Sequence, residues 1–329
     1  MDRSSTRALP EEAGGDLEFH DLGPAPADLR RAVLEGLARR PRSIPPKFFY
    51  DAEGSRLFDA ICHLPEYYLT RTENAILRSH AGEIAESCGR GRWLLEPGSG
   101  SCAKVRLLLD ALEPRAYIPI DISGEHLRAA AGALAAERPG LPVRACCADF
   151  TREAPLPGPL PGPRLVFFPG SSIGNYEPEE AVAVLQRLAA LAGSGGGLLI
   201  GVDLRKDRRT LEAAYDDRDG VTAAFNRNLL RRINRELGAD FDPAAFGHRA
   251  WWNGDLGRVE MHLVSRRDQE VRIGEHTFRF PEGDTIHTEN SYKYGIGEFG
   301  ELAAKAGFRQ DRVWTDPARR FSLHWMPVA

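Results

Sequence analysis

From residue 92 onward, short apolar runs of strand length alternate with longer stretches in which apolar positions recur every three or four residues. The runs 92–95, 116–120, 142–147, 164–168 and 197–203 read as strands. The stretches 102–112, 124–137 and 178–192 read as helices, and Pro178 stands where a first helical turn accepts proline. A loop rich in proline and glycine, 155–163, separates the third strand from the fourth. Short apolar strands separated by helices predict an α/β fold, a parallel sheet covered on both faces.

The flanks follow other patterns. Residues 1–24 are polar and carry glycine, proline and acids, which predicts a loose end. Helical periods run over 26–40, 54–63 and 71–88, the last opened by a capping box from Thr70 to Glu73. After 204, one helical stretch covers 207–237, followed by strand-like segments 258–266 and 270–280, with a hairpin turn at Gly274-Glu275. A helix over 297–307 precedes two strand-like runs, 308–315 and 320–326, joined at Asp316-Pro317. A terminal strand pair after five βα units marks a class I (Rossmann-like) methyltransferase sheet, and an ordinary dinucleotide domain lacks it. The expected organisation is a loose 1–24, an α+β substrate-binding domain from 25–72 and 205–295, and a cofactor-binding domain from 73–204 and 296–329.

Ligands of such sheets sit at the carboxyl ends of the strands, where Glu96, Asp121, Asp149 and Gly170 all fall. Gly98 and Gly100 follow the first strand, a turn that lets backbone approach a ligand closely. Gly98-x-Gly100-x-x-Ala103 with Asp121 also satisfies the dinucleotide fingerprint, so the turn alone admits either a nicotinamide or another adenosine cofactor. Lys104 can pair with a cofactor carboxylate, Asp121 with ribose hydroxyls, and Asp149 with Phe150 can bracket an adenine. Each has an ordinary counterpart in a solvated lysine or a helix cap, and it is their recurrence at successive strand ends that favours a cofactor. No arginine cluster offers to hold a 2′-phosphate. At the fourth strand end, the run Phe167–Tyr176 holds Gly170, Gly174 and Asn175, equally compatible with a plain loop. Glu289 and Ser291 share one side of Thr288–Lys293 if that segment is extended, although spacing alone favours a solvated pair.

Composition removes several function classes. The net charge is −4 and the Arg-Arg pairs are scattered, which gives nucleic-acid binding little support. Five cysteines form no C-x-x-C pair, and nine histidines form no H-x-x-x-H or other obvious ligand cluster, so no metal is expected. No G-x-S-x-G elbow is present, and no apolar run is long enough to cross a membrane. A cytoplasmic protein with a small-molecule substrate, acting as a monomer, is the expectation.

Several longer segments carry a resemblance. They are Pro45-Pro-Lys-Phe-Phe-Tyr-Asp51, Leu64-Pro-Glu-Tyr-Tyr68, the glycine turn, Gly170-Ser-Ser-Ile-Gly-Asn175, Ala214-Tyr-Asp-Asp217, Gly220–Asn228, Trp251-Trp-Asn253, Arg258-Val-Glu-Met261 and Thr288-Glu-Asn-Ser291. With them the chain, from about Pro45 to its end, resembles the L-histidine Nα-methyltransferases of ergothioneine biosynthesis. The resemblance implies transfer of three methyl groups from S-adenosylmethionine to the α-amine of histidine, giving hercynine. It implies a cofactor held by Gly98, Lys104, Asp121, Asp149 and Phe150. The histidine carboxylate would meet Asn175 and the Tyr215 hydroxyl, and the amine would lie near Tyr50, Tyr67 and the Gly170 backbone. Glu289 and Ser291 would hydrogen-bond the imidazole beside Met261 and Phe58. Pro97 stands where the family often has leucine, and Ser101-Cys102-Ala103 replaces a more polar run. Alternatives are a methyltransferase for another amino acid or amine, a nicotinamide dehydrogenase, and a non-catalytic sensor of S-adenosylmethionine or histidine.

Overall fold

The computed structural model describes residues 17–22, 27–151, 156 and 158–329. Along the chain, β1 (Leu17–Asp21) and α1 (Ala27–Ala38) precede the two-residue β2 (Arg42–Ser43), α2 (Ala52–Ile61) and α3 (Tyr68–Cys88). Then come β3 (Trp93–Pro97), α4 (Leu109–Leu112), β4 (Ala116–Asp121), α5 (Gly124–Glu137), β5 (Val143–Cys147), β6 (Arg164–Phe168), α6 (Pro178–Ala192) and β7 (Gly197–Asp203). The remainder holds α7 (Arg208–Tyr215), α8 (Val221–Leu237), β8 (Phe246–Asn253), β9 (Arg258–Ser265), β10 (Gln269–Ile273) and β11 (His276–Phe280). It ends in β12 (Thr285–Tyr292), α9 (Ile296–Ala304), β13 (Arg312–Thr315) and β14 (Phe321–Pro327).

The main sheet has the order β1-β5-β4-β3-β6-β7-β14-β13. Strands β3 to β7 are parallel and almost wholly buried, as continuous apolar runs require. The chain winds outward from β3 on one side and from β6 on the other. The crevice between the ends of β3 and β6 is therefore the topological switch point, where such sheets bind ligands. Strand β14 runs antiparallel between β7 and β13, the terminal pair of a class I methyltransferase sheet.

The amino-terminal region departs from expectation. Leu17–Asp21 is not a loose end but pairs in parallel with β5, from Leu17 opposite Val143 to Asp21 opposite Cys147. Its apolar content is thin because an edge strand needs only Leu17 and Phe19 half-buried. Residues 1–16 and 23–24 of that expected loose end lie outside the described residues. The capping box at Thr70 does not form either. Helix α3 begins at Tyr68, and Glu73 is withdrawn into the interior. The expected helix 102–112 shrinks to a 3₁₀ turn at Val105–Leu107 and the single turn of α4.

The stretch 207–237 divides into α7 and α8. Asp217 enforces the break, its carboxylate accepting the N–H groups of Val221 and Thr222 at 2.9 and 2.7 Å. A second sheet of order β2-β12-β9-β8 stands beside the first, and β8 is a strand the apolar pattern did not announce. The β10–β11 hairpin turns at Gly274-Glu275 as expected. In β12 one extra residue breaks the register. His287 pairs with His262 and Glu289 with Met261, leaving Thr288 as the bulge. The two sheets are tied at Glu177, the N-cap of α6, whose carboxylate accepts from Arg258, from Asn290 at 3.0 Å and from the Tyr292 hydroxyl.

Candidate active site

At the switch point the chain leaves β3 through Gly98 and Gly100, with φ of +69° and +51°. A Cβ on Gly98 would stand 3.7 Å from the Phe150 ring, and a Cβ on Gly100 would meet nothing within 4 Å. Asp121, at the end of β4, braces this turn, accepting the Gly100 N–H at 2.9 Å on one oxygen and the Ser123 N–H at 3.0 Å on the other. Asp149, after β5, accepts the Thr151 N–H at 3.0 Å and faces Lys47 at 3.3 Å. Burial acts most strongly on its carboxyl and upward. The Thr151 and Lys47 contacts together outweigh it and hold the group below its ordinary value. Phe150 packs edge-on against Phe168, with centroids 5.5 Å apart. These residues, with the buried Ser99, form an open, glycine-floored cradle with two carboxylates and a ring around it.

Two members of this group serve the protein interior. Glu96 is buried and accepts from the Tyr117 hydroxyl, and burial pushes its carboxyl up to about 8. Lys104 lies at the cradle but is ion-paired to Glu73 at 2.5 Å. Glu73, fully buried, also accepts the Gly170 N–H with both oxygens at 3.0 Å. The Gly170 N–H is thus engaged by α3, and Gly170 itself sits at φ +82° beside the Lys104 ammonium.

Beyond the cradle, rings from α2 and α7, from the residue before α3 and from the residue after the 3₁₀ turn Pro46–Phe49 form an arc. Tyr50 meets Phe58 at 5.6 Å, Phe58 meets Tyr67 at 6.3 Å, and Tyr67 meets Tyr215 at 6.2 Å, all edge-on. Phe225 of α8 backs both Tyr50 and Phe58, a contribution that spacing did not single out. Asp51 fixes the start of the arc. It caps α2 through the Gly54 N–H at 2.7 Å and holds Asn228 at 2.8 Å and Arg235 at 2.6 Å. Burial raises the Tyr50 and Tyr67 hydroxyls well above the ordinary phenol value, with further pushes on Tyr50 from Glu289 and Asp121 and on Tyr67 from Tyr215 and Glu289. Both remain protonated phenols at neutral pH.

The far wall is β12 against β9. Segment 288–293 is extended, and its Glu289 lies opposite Met261, itself buried. Burial pushes the Glu289 carboxyl up to about 7, with Lys293 pulling the other way. Among the described residues no hydrogen bond reaches that carboxylate. Ser291 lies 2.7 Å from the Tyr215 hydroxyl. Asn175 ends a 3₁₀ turn, Ser172–Asn175, that is pressed onto β12. A Cβ on Gly174 would come within 2.7 Å of the Tyr292 carbonyl oxygen. The structure thus brings Tyr50, Phe58, Tyr67, Tyr215, Met261, Glu289 and Ser291 around one space, with Asn175 on the turn packed against the same strand.

Under Tyr215 and Ser291 lies an ionic group that the sequence did not suggest. Lys293, 1% exposed, donates to Asp203 at 2.8 Å, Tyr215 at 2.9 Å and Ser291 at 2.8 Å. Asp203, at the end of β7, also accepts from the Tyr68 hydroxyl at 2.7 Å and from Lys206 at 2.6 Å. In the linear chain Lys293 only closes the segment Thr288–Lys293 and carries no assigned role.

Histidines do cluster, contrary to what their spacing suggested. Glu260, His262 and His287 bring ligand atoms within 4.8 Å of one another on the outer face of the second sheet. The rings of His262 and His287 are stacked 4.6 Å apart at 8°, and Trp251 stacks on His262 at 4.1 Å. Imidazole lone pairs lie in the ring plane, and two parallel planes do not converge on one ion. The geometry is that of an aromatic stack, with burial pushing His262 down to about 4. Among the described residues, no helix is long and apolar enough to cross a membrane.

Comparison with known proteins adds to this geometry. The profile of a family described as histidine-specific, SAM-dependent methyltransferases matches residues 29–328. The histidine N-alpha-methyltransferase of Mycolicibacterium smegmatis is 47% identical over 303 residues, covering 90% of this chain and 93% of that protein. Its counterpart in Mycobacterium tuberculosis is 46% identical over 301 residues, with 90% and 93% covered. Ergothioneine biosynthesis protein 1 of Neurospora crassa is 32% identical over 301 residues, covering 86% of this chain and 33% of that larger protein.

Proposed function

The chain belongs to the histidine-specific, S-adenosylmethionine-dependent methyltransferases, and we propose that it trimethylates the α-amine of L-histidine to hercynine, the first step towards ergothioneine. The observation that carries this reading is the Glu289 carboxylate. It is half-buried, without a hydrogen-bond partner among the described residues, and set between Met261 and the ring arc beside Ser291. A site built to hydrogen-bond a polar ring rejects analogues that lack it far more strongly than an apolar site could.

The cradle fits an adenosine-containing methyl donor, which would supply an electrophilic methyl group on a sulfonium sulfur. Gly98 and Gly100 admit its amino-acid part. Lys104, kept at the turn by Glu73, takes its carboxylate, Asp121 its ribose, and Asp149 with Phe150 its adenine. Asn175 and Tyr215 take the histidine carboxylate, Glu289 and Ser291 the imidazole, with Phe58 and Met261 as apolar walls. The amine lies by Tyr50 and Tyr67, near Gly170.

Displacement at the methyl carbon demands alignment of the nitrogen lone pair above all. Tyr50 and Tyr67, as neutral phenols, accept hydrogen bonds from the amine and aim that lone pair, while its ammonium proton leaves to water. The ring arc then tolerates the growing cation through cation–π attraction. Residues 25–72 and 205–295 form the substrate-binding part, and 73–204 with 296–329 the donor-binding part. The enzyme works as a cytoplasmic monomer without a metal. Mass spectrometry of the protein with S-adenosylmethionine and each proteinogenic amino acid tests the reading. Histidine gaining up to three methyl groups supports it, and methylation of another amino acid instead overturns the imidazole assignment.

A further inference from the structure

We propose that Lys293 is a positioning residue that orients the Tyr215 and Ser291 hydroxyls toward histidine, an inference resting on the substrate reading above. An ammonium has three N–H donors and no acceptor. All three are used, on Asp203, Tyr215 and Ser291, so both hydroxyl oxygens accept from Lys293. The two oxygens are also 2.7 Å apart, so one hydroxyl donates to the other. Of their two protons one is consumed in that bond, and one is left for the pocket.

The substrate then settles the direction. A carboxylate only accepts, so Tyr215 must give its proton to it. Ser291 must in turn give its proton to Tyr215, which leaves Ser291 a lone pair for an imidazole N–H. Without the ammonium, the hydroxyls are free to rotate and neither direction is enforced. The cation also sits beneath the carboxylate end of the substrate, with its charge balanced by Asp203 from the other sheet. Asp203 keeps a second cation, Lys206, at 2.6 Å, so removing Lys293 strands no buried carboxylate. The ammonium therefore selects an amino acid over the corresponding amine.

The test is calorimetric binding of histidine and of histamine, which lacks the carboxylate, to wild type, Lys293→Met, Tyr215→Phe and the double variant. Lys293→Met should weaken histidine binding by about tenfold or more, the worth of an oriented bond to a charged group. S-adenosylmethionine affinity should stay within about twofold of wild type, and histamine, which meets only Ser291, should lose clearly less than histidine. In the Tyr215→Phe background the histidine effect should shrink, because the part of it carried by the Tyr215 proton is already gone and only the Ser291 contact remains. Lys293→Gln, which keeps amide donors, should recover part of the loss and serves if the Met variant does not fold. Unchanged histidine affinity in a folded Lys293 variant, equal losses for histidine and histamine, or an undiminished effect in the Tyr215→Phe background would each overturn the inference. Wild type that binds no histidine would instead sink the substrate reading and this inference with it.

Discussion

Glu73 on α3 grips the Gly170 N–H with both carboxylate oxygens at 3.0 Å, locking a helix that opens the sheet region to the loop that closes β6. The same carboxylate carries Lys104, so one buried acid fixes two positions at the switch point. Cutting a buried pair leaves an uncompensated charge. Glu73→Ala should lower unfolding stability by about 3 kcal/mol and weaken S-adenosylmethionine binding, read by urea denaturation and calorimetry. Wild-type stability in that variant would mean the grip is incidental.

Glu289→Ala should raise the Michaelis constant for histidine on the order of 10²-fold or more, with that for S-adenosylmethionine unchanged. Steady-state kinetics with each substrate varied in turn separates the two. A variant with wild-type histidine kinetics would remove the imidazole from this position.

Glu289 also makes a pH prediction for the ligand-free protein. Its folded value, about 7, lies above the ordinary value of 4.5. Between the two the folded state holds the extra proton, so stability is present at low pH and declines as pH rises through that window. Burial drives the shift and Lys293 opposes it, while Glu289 in its turn raises the hydroxyls of Tyr50, Tyr67 and Tyr215 that face it. Urea unfolding of wild type against Glu289→Gln should show wild type losing ground from about pH 5 to 7 and levelling off above. A difference independent of pH would place this carboxyl in an ordinary solvated setting.

Tyr50→Phe and Tyr67→Phe should each lower kcat by about 10- to 100-fold while leaving turnover measurable, because neutral phenols aim the amine rather than remove its proton. The arc geometry leaves cation–π tolerance in place in both variants. Rapid-quench assays of mono- and dimethylated histidine would follow each step. Abolition of turnover by either single change would make that hydroxyl a true base.

What the linear chain disclosed was whatever repeats with a period or recurs in a strict place. Buried strands β3 to β7 and the strand-end residues Gly98, Asp121 and Asp149 are of that kind, because parallel sheets put ligands at one edge. The arc of Tyr50, Phe58, Tyr67 and Tyr215 has no period. It was reached only through resemblance, since its members come from separate segments that meet by packing. Lys293, Glu73 and the stack of His262 on His287 were hidden for a third reason. A charged or titratable side chain reads as solvated until its partner, up to 90 residues away here for Lys293 and Asp203, is known to be adjacent.

The bulge at Thr288 acts as a change of phase. Upstream of it, β12 writes its alternate positions to the outer stack, and downstream it writes them to the pocket, although the odd numbering runs on from His287 through Glu289 to Ser291. Selection can therefore rewrite the pocket letters at 289 and 291 without spoiling the stack, and substrate choice can drift while the scaffold stays put. Deleting that single residue would make His287 and Glu289 neighbours in a regular ladder, each still opposite its partner and on its own face. The extra residue is thus a local kink that the two faces do not need in order to stay apart.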